Sequence, residues 1–214
     1  MSDQIESIPA TSAALLVVDM QNDFCHPDGG CAKSGVFAYD TSMIEAMTPM
    51  LMRAVDAARR QDLKVIWIRT EYGSATNSPG WVRRGAGKPL IICRPGTWGV
   101  DWYRVAPKDD DFVVTKHRYS AFLHTALETI LRVHAVSRVA VVGVTTQVCI
   151  ETTARDAFMR DFHVTVLSDC TASFDRDMHD ASLRALSTHF GSVMDSTDFF
   201  GSLSPLRTAQ DRQP

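Results

Sequence analysis

The chain has 214 residues, 45% hydrophobic and 22% charged, enough to bury a substantial core and suited to one globular domain over 1–214 with polar tails at 1–10 and 205–214. A formal net charge of -3 supplies no basic field, which argues against nucleic acid or an anionic membrane as partner and leaves small molecules as the default. No apolar run approaches the roughly 18 residues of a membrane span, and the opening MSDQIESIPA lacks the basic start and apolar centre of a signal peptide, so a cytoplasmic protein is expected.

Short β-branched runs alternate with stretches of helical period, the pattern of a parallel sheet covered by helices on both faces. The first strand is AALLVVD at 13–19. A helix over 41–61 ends in the basic RRQ; its Met43, Met47, Met50 and Met52 either face the core or form a subunit contact. KVIWIR at 64–69 is the second strand. The stretch 70–111 carries Gly, Pro and three Trp with little periodicity, and reads as an excursion over one end of the sheet. FVVT at 112–115 is the third strand, followed by a helix over 121–134 with Leu123, Leu127, Ile130 and Leu131 inward. A fourth strand at 138–143 leads through a Gly/Thr turn into a helix over 149–161; strands at 163–168 and 192–195 flank a helix over 177–190. The fold class is therefore α/β, a Rossmann-like three-layer α/β/α arrangement on a six-stranded parallel sheet.

The five cysteines form neither a CxxC pair nor a zinc-like Cys/His spacing, so reduced thiols are expected. Cys170 reads as packing, and Cys25 and Cys31 flank a Gly-rich loop. Cys149 differs. It follows RVAVVGVTTQV at the first turn of a helix, where partial positive charge and unpaired N–H groups favour a thiolate and can receive an oxyanion. On this feature alone, reactive thiol and packed thiol stay open.

Ligands of open parallel sheets bind at the carboxyl ends of strands. Strand one ends at Asp19, strand three runs into Lys116, and strand four runs into the turn before Cys149. Asp19 alone reads as a cap and Lys116 alone as a solvated charge. Together they answer a chemical need: a carboxylate takes the thiol proton, and an ammonium keeps that carboxylate ionised.

The segments LLVVDMQNDF (15–24), TKHRYSAF (115–122) and GVTTQVCIETTARDAF (143–158) resemble the three signature blocks of the isochorismatase-like cysteine hydrolases, in order, over about residues 13–200. The resemblance implies a catalytic triad of Asp19, Lys116 and Cys149, and a cis peptide between Val144 and Thr145. It also implies an oxyanion hole made by the N–H groups of Thr145 and Cys149; losing one such donor slows turnover by about a hundredfold or more. The implied reaction is C–N hydrolysis of a small amide through a thioester on Cys149, with no cofactor. Family members are commonly oligomers, so a homodimer or homotetramer is expected.

Departures from other branches narrow the substrate. Nicotinamidases of the superfamily bind zinc through an Asp-x-His pair after the second strand; here Arg69, Thr70, Glu71 and Tyr72 stand there, so no metal is expected. Isochorismatases cleave a vinyl ether and can dispense with the thiol, so the presence of Cys149 favours amide chemistry. Lys116 with Arg118, Tyr119, Ser120 and Phe122 is similar to the block of ureidoacrylate and carbamoyl-amide hydrolases. A ureido or carbamoyl substrate suits a small polar pocket with an aromatic wall. Phe24, Trp98, Tyr119 and Phe122 are the candidates for that wall, though core packing accounts equally for some of them, and Gln147 is a further candidate substrate contact. Arg69, Arg94 and Arg118 are alternative partners for a substrate carboxylate.

Overall fold

The computed structural model describes residues 8–9, 12–34, 39–84 and 91–204. Its central sheet has six parallel strands: β1 (Ala13–Val18), β2 (Lys64–Thr70), β3 (Phe112–Lys116), β4 (Arg138–Val144), β5 (His163–Ala172) and β6 (Ser192–Met194). Their order is β3-β2-β1-β4-β5-β6, so the winding reverses between β1 and β4 and opens a crevice at the carboxyl ends of those two strands. The tails expected at 1–10 and 205–214 lie outside the described residues, except that Ile8–Pro9 pairs in parallel with Leu203–Ser204.

Every residue of β1 is buried, and its side chains alternate between two cores, as a strand covered on both faces requires. Ala13, Leu15 and Val17 face helix α1 (Ser42–Arg60) and Phe199 of helix α5 (Ser196–Ser202). Ala14, Leu16 and Val18 face helices α2 (Leu127–Val133), α3 (Glu151–Phe158) and α4 (Arg176–His189). On α1, Met47 is buried, Met43 and Met50 pack against the core edge, and Met52 is exposed.

Three expected elements differ, one of them the helix expected over 149–161, which is a π turn at Thr146–Ile150 followed by α3 ending at Phe158. The helix expected over 121–134 begins only at Leu127, leaving Leu123 exposed and Ile130 half-buried. Side chains take over the backbone groups ahead of it: Ser120 Oγ accepts from Phe122 N at 3.0 Å, Thr153 Oγ1 accepts from Ala121 N at 3.1 Å, and Thr125 Oγ1 donates to Ala121 O at 2.5 Å. The fifth strand runs on to Ala172, because a register shift opposite Val141 and Gly143 lets pairing resume at Thr171 and Ala172.

Gly143 stands at the crossover itself. Its φ is +114°, and a Cβ there would lie 2.1 Å from the carbonyl oxygen of Val18, its register partner on β1. Only glycine lets β4 approach the end of β1 this closely.

Candidate active site

Asp19 is the first residue past β1 and has φ +55°, a left-handed conformation that turns the chain out of the sheet. Its N–H donates to Ile68 O at 2.8 Å and its carbonyl accepts from Gln21 N at 2.7 Å, which fixes the carboxylate above the crevice. Lys116 ends β3 as the register partner of Thr70, the last residue of β2. Thr70 links the two charges across the intervening strand: its hydroxyl accepts from Lys116 Nζ at 2.7 Å and donates to Asp19 Oδ1 at 2.9 Å.

Cys149 lies in a π-helical turn, Thr146–Ile150, that leads into α3. The peptide bond before the turn, Val144–Thr145, is cis. Thr145 O accepts from Val148 N at 3.0 Å and from Ile150 N at 3.3 Å, the second closing the wide loop of a π turn. Lys116 Nζ stands 3.3 Å from Cys149 Sγ, 2.8 Å from Asp19 Oδ2 and 3.1 Å from Arg118 O. With Thr70, these are three hydrogen-bond acceptors and one ion-pair partner around the ammonium group.

Asp19, Lys116 and Cys149 are all buried, at 1%, 0% and 5% exposure, so their mutual interactions are not diluted by water. Burial pushes the Cys149 thiol well above its ordinary value, the Asp19 charge and hydrogen bond add to this, and Lys116 offsets only part. The resting sulfur is therefore protonated at neutral pH. The helix end alone pointed to a thiolate; desolvation and the neighbouring carboxylate outweigh it. For Lys116, burial works to lower the ammonium, yet Asp19 and Cys149 together carry it upward, so it stays charged.

The other candidate residues are spread around this centre. Phe24 is half-buried between two clusters of the core, with its carbonyl accepting from Tyr39 OH at 2.8 Å. Tyr119 packs edge-on against Trp81 at 5.1 Å, and Trp98 is half exposed with its ring 5.1 Å from His26. Phe122 is buried in the same core cluster as Cys149, its ring 5.9 Å from Phe162 and beneath the Arg160 guanidinium. Gln147 reaches toward Met178, with Nε2 3.9 Å from its sulfur, and its buried Oε1 has no partner among the described residues. Of the three arginines, Arg69 pairs with Glu71 at 2.7 Å, Arg118 donates to the carbonyls of Thr76 and His117, and Arg94 is exposed. Glu71 is further engaged through its carbonyl, 2.8 Å from His117 Nδ1.

Several residues of the site carry no chemical label in the sequence. Gln21 accepts from Thr70 N at 2.7 Å and donates to Thr70 O at 3.0 Å and Val100 O at 2.9 Å, tying β2 to the excursion. Asp23 accepts from Gly30 N at 2.8 Å and Cys93 N at 2.5 Å. Tyr72 is buried beside Trp81, with ring centroids 5.5 Å apart and its N–H donating to Cys93 O at 3.0 Å, and burial raises its phenol. All five cysteines are free.

A parallel α/β sheet that delivers a thiol, a carboxylate and an ammonium to its switch point defines the chain as an α/β cysteine hydrolase. Comparison with known proteins agrees: the isochorismatase domain model matches residues 13–198, and the chain belongs to that family. It is 32% identical to ureidoacrylate amidohydrolase RutB of Methylobacterium radiotolerans, over 91% of this chain and 80% of that protein. The Yersinia enterocolitica protein of the same name is 30% identical over 93% of this chain and 92% of its own. A cysteine hydrolase of Pseudomonas syringae pv. phaseolicola superposes with a TM-score of 0.82 at 28% identity, covering 94% of this chain and 98% of that one.

Proposed function

We propose that the protein is a cysteine-dependent amidohydrolase that cleaves a C–N bond in a small ureido or carbamoyl compound through a thioester on Cys149. The observation that carries this reading is the buried contact of Asp19, Lys116 and Cys149 at one strand crossover. The relatives named ureidoacrylate amidohydrolase support the substrate class.

Because the resting thiol holds its proton, transfer to Asp19 accompanies attack on the carbonyl instead of preceding it. The oxyanion is received by the N–H groups of Thr145, just before the π turn, and of Cys149 within it. Asp19 then gives the proton to the departing nitrogen, leaving an acyl group on the sulfur. Water, activated by the same carboxylate, releases the acid or, from a ureido group, a carbamate. Lys116, 3.3 Å from the sulfur, balances the charge that develops there during attack. Phe24, Trp98 and Tyr119, with Tyr72 and Gln147, are assigned to the walls that receive the substrate.

The test is ammonia release from ureidoacrylate, biuret and N-carbamoyl amino acids by wild type, Cys149→Ala and Asp19→Asn. Release by the wild type alone, with an acyl adduct on Cys149 seen by mass spectrometry of the quenched enzyme, is the expected result. Ammonia release surviving Cys149→Ala overturns the mechanism, whereas no ammonia from any of these compounds together with hydrolysis of isochorismate that survives Cys149→Ala points to vinyl ether hydrolysis instead.

A further inference from the structure

Helix α4 grips the Cys149 turn from behind with polar groups. Asp175 caps the helix, its side chain accepting from Met178 N at 2.9 Å, and this sets the phase that turns His179, Ser182 and Leu186 inward. The buried stripe of such a helix is ordinarily apolar. Here two of the three inward positions are polar, and both are directed at one turn. His179 Nδ1 lies 2.8 Å from Thr146 Oγ1, with Thr146 at 0% exposure and His179 at 5%. Ser182 Oγ lies 2.6 Å from Glu151 Oε2 and 3.3 Å from Thr146 O. Glu151 in turn holds Arg155 at 2.6 Å, and the Arg155 guanidinium covers Phe190, the residue that follows α4.

Burying an imidazole at this seam has a cost, seen in the downward shift that burial imposes on His179. A leucine would fill the place without it. What the imidazole adds is a direction for the Thr146 hydroxyl. Thr146 opens the π turn, and Cys149 follows three residues later, within the same turn. A turn tied to α4 through both the Thr146 side chain and its carbonyl has little freedom to rotate, and the Cys149 N–H and sulfur inherit that fixed direction.

We propose that His179 is a positioning residue for the reaction at Cys149, acting through the hydroxyl of Thr146 to hold the turn that aims the thiol and its N–H at the substrate carbonyl. The proposal rests on the reading of Cys149 as the nucleophile.

The experiment compares His179→Leu, His179→Asn, Thr146→Val and the double variant Thr146→Val/His179→Leu. An asparagine amide reaches the place of Nδ1 and keeps the hydrogen bond, while leucine does not. His179→Leu is expected to lower kcat by about tenfold or more with KM changed by less than about threefold, and His179→Asn to restore kcat to within about threefold of wild type. In the Thr146→Val background, His179→Leu should add less than about twofold, because the two residues act as one unit. A lowered melting temperature with wild-type kcat in His179→Leu overturns the proposal, as does a full His179→Leu effect on top of Thr146→Val. Should the wild type release no ammonia from any ureido compound, the functional reading fails by itself. The same four proteins are then compared by the rate of Cys149 alkylation with iodoacetamide, where equal rates in all four overturn the positioning role.

Discussion

Replacing Thr70 by valine keeps the shape of the side chain and removes a single hydroxyl, yet that hydroxyl serves both charges of the site. It accepts from Lys116 Nζ at 2.7 Å and donates to Asp19 Oδ1 at 2.9 Å, at a position with 0% exposure where water cannot substitute. A hydrogen bond to a charged group contributes about 1.5–3 kcal/mol. Lys116 keeps two other hydrogen-bond acceptors, Cys149 Sγ and Arg118 O, and its ion pair with Asp19 Oδ2, so its share of the loss is small. Asp19 Oδ1 loses its hydroxyl donor, which sets the expected cost near 2 kcal/mol, or about 1 M in the urea midpoint at an m-value of about 2 kcal/mol/M. Freed from that strut, the carboxylate swings relative to the sulfur, and kcat should fall by about 10- to 100-fold. Thr70→Ser keeps the hydroxyl and should retain most of both. Urea unfolding followed by tryptophan fluorescence reads the first quantity, and ammonia release at saturating substrate reads the second. A Thr70→Val protein with a midpoint within about 0.2 M of wild type and kcat within about twofold would refute the idea that this hydroxyl braces the charge pair.

Gly143→Ala should separate β4 from β1, since its Cβ would meet Val18 O at 2.1 Å and the φ of +114° is closed to alanine. The expected outcome is a melting temperature several degrees lower and at least about tenfold less activity, and a crystal structure of the variant with β1 and β4 undisplaced would contradict the reasoning. Alkaline pH gives an independent check. Burial raises all five thiols above the ordinary 9.0, Cys31 to about 12, so the unfolded chain ionises them before the folded one does. That contribution to stability is complete below pH 9.0 and is lost as pH rises above it, by up to about 1.4 kcal/mol per unit for each fully buried thiol. Thermal melts should fall above that pH, less steeply in Cys170→Ala, and a flat profile for the wild type would contradict the buried-thiol account.

The strands were legible because β-branched runs buried on both faces leave little else for those residues to do; β1, β2 and β4 differ from expectation by one residue at an end. The second helix was not, because the side chains that replace its first turns, Ser120, Thr125 and Thr153, come partly from a different element. Asp19, Lys116 and Cys149 are legible as chemical types at strand ends, and the structure sets Lys116 in contact with both of the others. Thr70 and Gln21 are ordinary polar residues whose part depends on register: Thr70 sits opposite Lys116, a fact no local pattern encodes. The protonation of Cys149 went the other way from its helix-end position, since the burial that outweighs the helix end comes from the whole surrounding core.

The Asp23 carboxylate binds the main-chain N–H groups of Gly30 and Cys93, and Gly99 passes so close that a Cβ there would lie 2.0 Å from Oδ2. Main-chain groups are common to every amino acid except proline, so this anchor reads the path of the excursion and not its sequence. Between its fixed points the excursion is free to change side chains, and with them the shape of the crevice, while Asp19, Lys116 and Cys149 keep their places on the sheet. A designer seeking a new substrate would randomise the excursion and leave Asp23 and Gly99 untouched; a lineage drifting toward one would be expected to do the same.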